Sequence, residues 1–147
     1  MILCMSLTLI YGPMFSGKTS ELMRMINLCM DEKKIIINHI SDNRYEKKNY
    51  ICSHDNKKLK ATSLKNIEDI FNLSSYEEAN YIFIDEGQFF NRLLSSANTM
   101  MLHNKNIVIA GLLSDFKKAP FQSMIELFVI ADILIEKKGI CECGKYT

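Results

Sequence analysis

The apolar run Leu7-Thr8-Leu9-Ile10-Tyr11 stops at Gly12, and from Lys18 onward apolar residues return at Leu22, Met25 or Ile26, and Cys29. The first is a strand pattern and the second is one face of a helix, so the chain opens as strand, glycine loop, helix. Lys34 to Ile40 holds Ile35-Ile36-Ile37, too short and too β-branched for a helix, and predicts a second buried strand. Ser41 to Ala61 has little periodicity and carries six basic residues (Arg44, Lys47, Lys48, Lys57, Lys58, Lys60). It predicts a long loop or irregular hairpin, a kind of connection that often carries function. Ser63 ahead of Leu64, Ile67, Ile70 and Phe71 predicts an N-capped helix, and Tyr81-Ile82-Phe83-Ile84 a buried strand ending in Asp85-Glu86. Helix over Leu93 to Leu102, strand over Ile107 to Ala110 and helix over Phe121 to Ala131 follow. Alternation of this kind implies an α/β fold with a mostly parallel sheet covered on both faces.

Composition narrows the picture. A chain of 147 residues suits one domain, and 6 Gly and 2 Pro leave little room for linkers or disorder. Lys and Arg number 18 against 17 Asp and Glu, so no broad field exists to hold a polyanion, and any anion must be recognised locally. The basic cluster from Arg44 to Lys60 is broken up by Asp42, Glu46 and Asp55 and lacks stacking aromatics interleaved in a groove-forming pattern, which reads as a solvated face rather than a nucleic-acid surface. The amino-terminal MILCMSLTLI has no basic leader and no small-residue cleavage site, and no apolar run approaches the roughly 18–20 residues that span a bilayer. A cytoplasmic protein without membrane contact is expected. Of the 5 cysteines, Cys4, Cys29 and Cys52 read as packing thiols; Cys141 and Cys143 stand apart.

Gly12-Pro13-Met14-Phe15-Ser16-Gly17-Lys18-Thr19 fits G-x-x-x-x-G-K-[ST] between a strand and a helix. Glycines let backbone N–H groups wrap a phosphate chain, and the following helix adds its positive end. Lys18 is then a point charge for the β- and γ-phosphates of ATP, and the Thr19 hydroxyl is placed to reach Mg²⁺. The apolar strand ending in Asp85-Glu86 delivers two acids to the carboxyl edge of the sheet, where ligands bind in open α/β folds. Asp85 suits the metal, through a bound water; Glu86 suits the proton of an attacking hydroxyl or water. The acid pair alone leaves the phosphate acceptor open.

Taken together, Gly12 to Thr19 with Ser20-Glu21-Leu22, and Asp85-Glu86-Gly87-Gln88-Phe89-Phe90, resemble the thymidine kinases of the cellular and poxvirus type. Ser41-Asp42-Asn43-Arg44-Tyr45 with Ser53-His54-Asp55, and Ala110-Gly111-Leu112 through Asp115-Phe116 to Pro120-Phe121, are similar to further stretches of that family. The resemblance runs from about Leu7 to Cys141. It implies a RecA-like P-loop core over residues 1–138, and over 139–147 the start of a zinc-ribbon and lasso lobe. The implied activity is transfer of the γ-phosphate of ATP to the 5′-hydroxyl of thymidine or deoxyuridine, in a homotetramer. On that resemblance Gly12 to Thr19, Asp42, Asn43, Arg44 and Asp85 to Gln88 serve the nucleotide and its Mg²⁺, and Glu86 is the proton acceptor. Phe116 packs on the base, with Met14, Leu112 and Phe121 nearby. Without it, Phe116 and Phe121 read as core. His54 and Asp55 read as a local hydrogen-bonding pair, since Glu86 fills the base role.

The sequence departs from that family in three respects: the zinc ribbon, the lasso and Leu113. Structural zinc takes four ligands, and Cys141-Glu142-Cys143 supplies two before the sequence ends at Thr147. The expectation is therefore that zinc is absent, shared with other ligands, or completed by a segment that also holds the lasso over the base. Leu113 stands where the family commonly has Asp. Two rivals to a kinase follow: an ATP-binding relative without turnover, and a RecA-like ATPase acting on nucleic acid.

Overall fold

A computed structural model describes residues 6–41 and 49–139. Asp42, Asn43, Arg44, Cys141 and Cys143, singled out above, lie outside the described residues, as does Cys4. Six parallel strands form the main sheet: β1 (Leu7–Tyr11), β2 (Lys34–His39), β5 (Thr62–Leu64), β6 (Tyr81–Ile84), β7 (Asn106–Gly111) and β8 (Ile133–Glu136), in the order β5-β2-β6-β7-β1-β8. Between β2 and β5 an antiparallel hairpin stands apart, made of β3 (Tyr50–Cys52) and β4 (Lys58–Lys60). The helices are α1 (Lys18–Leu28), α2 (Leu93–Leu102) and α3 (Gln122–Ile130), with 3-10 segments at Ile67–Asn72 and Gly87–Phe89.

Strand side chains alternate between faces, and the sheet is buried on both. Leu7, Leu9, Ile82, Ile84, Ile107 and Ile109 pack with α2, α3 and the first 3-10 segment. Ile10, Phe83, Val108 and Ala110 pack with Leu22, Met23 and Ile26 of α1 and with Ile51 of the hairpin. Two cores on opposite faces pin the register of each strand, because a one-residue slip would exchange them. None of the helices is long and apolar enough to cross a membrane.

Two elements differ from the sequence expectation. The helix expected after Ser63 does not form: Thr62 to Leu64 pairs with Ile37 to His39, and only Ile67–Asn72 winds, as a 3-10 segment. The Ser63 hydroxyl donates to Asn38 Oδ1 at 2.7 Å instead of capping a helix, so pairing with the sheet edge overrides the local signal. The second is β8, which the periodicity did not reveal. Its start is fixed by Asp132, whose N–H donates to Leu7 O and whose carboxylate accepts Leu7 N, both at 2.9 Å.

Candidate active site

The glycine loop, the acid pair and the end of β7 all lie at the carboxyl edge of the sheet. β7 separates β1 from β6, so the two motifs face each other across one strand's width. Gly12 must lack a side chain because a Cβ there would lie 2.1 Å from the Lys137 carbonyl oxygen. Gly17 sits in the left-handed region (φ 88°) and turns the chain into α1, where Glu21 N donates to Gly17 O at 3.0 Å. Lys18 is buried, and its ammonium donates to Pro13 O at 2.6 Å, which holds it across the mouth of the loop.

Thr19 Oγ1 donates to Asp85 at 3.1 and 3.2 Å from its two oxygens, tying the first turn of α1 to the end of β6. Asp85 is itself anchored by its N–H to Ile37 O at 2.9 Å. A hydroxyl and a buried carboxylate converging here are hard oxygen donors of the kind Mg²⁺ takes, so the residues present fit that ion.

Glu86 then leaves the strand in left-handed backbone (φ 53°, ψ 47°), and the chain enters the 3-10 turn. Its buried carboxylate accepts Gln88 Nε2 at 2.5 Å. Gln88 Oε1 in turn accepts Leu112 N at 3.0 Å. Gln88, expected on the nucleotide side, thus spends both ends of its amide linking Glu86 to the chain just past β7. Gly111 makes room for this link, since a Cβ there would lie 2.6 Å from Gln88 Oε1.

These elements open into a cleft of about 550 Å³ that reaches from Gly17 to Thr19 past Glu86 and Gln88 to Leu112, Phe116 and Phe121. Met14 and Phe15 line it from the loop. The structure therefore brings Glu86 together with all four residues expected near a base. The reading of Phe116 as core does not hold: it is 89% exposed at the tip of a turn in which Asp115 accepts Lys117 N and Ala119 N at 2.8 and 2.9 Å. Phe121 does both jobs, lining the cleft while packing against the core. Leu113 packs on that same core, and its carbonyl accepts Phe121 N at 2.8 Å.

The hairpin supplies a wall that sequence reasoning missed. Cys52, Ser53 and His54 line the cleft, as do Phe89 and Asp115. His54 and Asp55 do not form the expected pair: His54 meets the Phe15 ring edge-on with centroids 5.6 Å apart, and Asp55 accepts the Ser53 hydroxyl. That bond, with Lys57 adding its charge, holds the Asp55 carboxyl below its ordinary value. The signals available were a turn pattern at Ser53 to Lys57 and the family resemblance at Ser53-His54-Asp55. Cys29 and Cys52 are free and half-buried. Among the described residues no group of three or more His, Cys, Asp and Glu is placed to hold a metal.

Comparison with known proteins follows the same line. A family model described as thymidine kinase matches residues 5–147. The thymidine kinase of Choristoneura fumiferana entomopoxvirus is 38% identical over 142 residues, covering 93% of this chain and 77% of the relative. That of Fowlpox virus (strain NVSL) is 36% identical over 140 residues, covering 92% and 76%. Thymidine kinase 1 of Dictyostelium discoideum is 34% identical over 139 residues, covering 90% and 60%.

Proposed function

Because the chain belongs to the thymidine kinase family, we propose that it transfers the γ-phosphate of ATP to the 5′-hydroxyl of thymidine or deoxyuridine. The observation that carries this reading is the single cleft that joins the phosphate loop, Glu86 and an apolar wall of Met14, Leu112, Phe116 and Phe121. A phosphate chain fits one end and a flat base the other, with a carboxylate between them.

The loop amides and Lys18 hold the phosphates, as the motif requires. Thr19 and Asp85 would hold Mg²⁺, whose charge would offset that of the phosphate oxygens. Glu86 accepts the proton of the 5′-hydroxyl as the oxygen forms its bond to the γ-phosphorus. The bond to the bridging β,γ-oxygen breaks, and ADP departs with that electron pair. Transfer of this kind depends on position and electrostatics more than on covalent help from the protein. Gln88 fixes the direction of the carboxylate, and Phe116 offers a ring for the base.

Transfer of label from γ-labelled ATP to thymidine tests the proposal. Labelled dTMP is expected, and Glu86→Gln is expected to lower kcat by about 10²–10⁴-fold with ADP affinity retained. ATP binding without labelled product would favour a nucleotide-binding relative without turnover. Hydrolysis stimulated by DNA would favour the ATPase reading.

A further inference from the structure

Strand β8 leaves the sheet beside the phosphate loop and brings with it a cation outside the motif. Lys137 N donates to Tyr11 O at 2.7 Å, and the Lys137 carbonyl fills the space that a side chain on Gly12 would need. The Lys137 side chain then runs along the helix end of the loop, its Cε 3.8 Å from where a Cβ on Gly17 would stand. Its charge reaches Glu21 in the first turn of α1, where it adds to the dominant bond from Arg24 in holding that carboxyl below its ordinary value. Among the described residues the Lys137 ammonium makes no hydrogen bond or salt bridge. A half-buried lysine stem thus presents an uncommitted charge against the backbone of Gly17.

We infer that Lys137 is a second phosphate-binding cation, one that holds the α- and β-phosphates of the donor nucleotide. The inference rests on the proposed binding of ATP in the loop. In a loop of this type the backbone amides cradle the α- and β-phosphates while the motif lysine serves the β- and γ-phosphates. Lys18 reaches across the mouth of the loop toward Pro13, whereas Lys137 lies at Gly17, where the loop becomes helix. Its charge therefore acts on the part of the nucleotide that ATP and ADP share, away from the phosphoryl group in transfer. Most of that binding is common to ground and transition states, so it belongs chiefly in KM, with a smaller effect on kcat from the charge that gathers on the β-phosphate as ADP leaves. The edge-strand position of β8 explains why no motif signals this residue: only the pairing of β8 with β1 brings it to the loop.

Calorimetric titration of ADP into the full chain tests this with Lys137→Met, which keeps the stem, and Lys137→Arg, which keeps the charge. Lys137→Met is expected to weaken ADP binding about three- to fivefold, the size of one partly exposed ionic contact. Lys137→Arg is expected to restore most of it, and the loss should shrink as salt is raised. In the label-transfer assay the same factor should appear in KM for ATP. Glu21→Gln separates direct from indirect action: the effect of Lys137→Met should persist in that background. Unchanged ADP affinity in Lys137→Met, or an effect that vanishes with Glu21→Gln, overturns the inference and leaves the kinase reading standing. A wild-type chain that shows the Lys137 effect on ADP yet labels no nucleoside supports the inference and overturns the kinase reading. A wild-type chain that binds no ADP overturns both.

Discussion

Glu86 is a left-handed residue with a Cβ, a state that costs on the order of 1–3 kcal/mol and persists only where its surroundings over-determine it. Three neighbours do so. Asp85 is tied to β2 by its N–H, and Gly87 is packed so closely that a Cβ would lie 2.7 Å from Ile109 Cγ2. Gln88 completes the set by bonding the Glu86 carboxylate at one end and Leu112 N at the other. The consequence for the proposed catalysis is directional: the carboxylate is held in the cleft by an amide that is itself held by the chain just past β7. Gln88→Leu keeps the bulk of the side chain but leaves Leu112 N without that acceptor, which should cost about 1–3 kcal/mol of stability. Released from its guide, Glu86 should also lose transition-state placement, so kcat should fall more than KM rises. Denaturant titration and steady-state kinetics on the same preparation check both halves. A variant with the expected stability loss but wild-type kcat would reduce Gln88 to a packing residue.

At the scale of elements, the carboxyl end of β7 is where the site meets the core. A methyl at Gly111 would approach Gln88 Oε1 at 2.6 Å, Met124 Cε at 2.8 Å and Gly87 N at 3.1 Å. The methionine end can swing away, but the Gly87 backbone is fixed by its own packing, so Gly111→Ala should cost about 1–3 kcal/mol and push Gln88 out of register with Glu86. Urea unfolding and label transfer should therefore fall together, and a variant with unchanged stability would show that the 3-10 turn gives way freely. The sequence made this corner partly legible. Gly12 and Gly17 announce a loop because the backbone there admits nothing larger, and Leu93 to Leu102 announces α2 because its periodicity is local. β5 and β8 were hidden for the opposite reason. They are edge strands of 3 and 4 residues whose conformation comes from pairing with β2 and β1 rather than from their own pattern. The same physics hid Cys52, Ser53 and Lys137, each carried to the site by an element whose place is tertiary. The aromatic turn at Phe116 shows the converse case, since only a resemblance, not hydrophobicity, set that ring apart from the core.

The whole molecule keeps its chemistry at one edge of the sheet and a polar clamp at the other. At the amino edge, Lys105 is buried, donates to Ala79 O at 2.7 Å and Glu77 O at 3.2 Å, and lies 4.5 Å above the Tyr76 ring. The Tyr76 hydroxyl meets His103 Nδ1 at 2.8 Å, so the clamp joins the chain before β6 to the end of α2 and the start of β7. Burial pushes the Tyr76 hydroxyl from 10.0 up to about 12 and lowers the Lys105 ammonium from its ordinary value. The two groups act on stability with opposite signs. Below 10.5 the unfolded chain holds the Lys105 proton more tightly than the folded one, so this group adds stability as pH rises toward that value. Between 10.0 and about 12 the folded chain keeps the Tyr76 proton that the unfolded chain releases, so stability present below pH 10 is lost as pH climbs through that window. Tyr76→Phe removes the second effect alone. Its unfolding midpoint should lie below wild type at neutral pH, by about 1 kcal/mol for the lost hydrogen bond, and the gap should close above pH 10 as wild type declines faster. Denaturant midpoints of the two proteins across that range decide the matter, and parallel curves would contradict it. Because the clamp lies at the amino edge of the sheet and the cleft at the carboxyl edge, ADP affinity at neutral pH should be the same in both proteins.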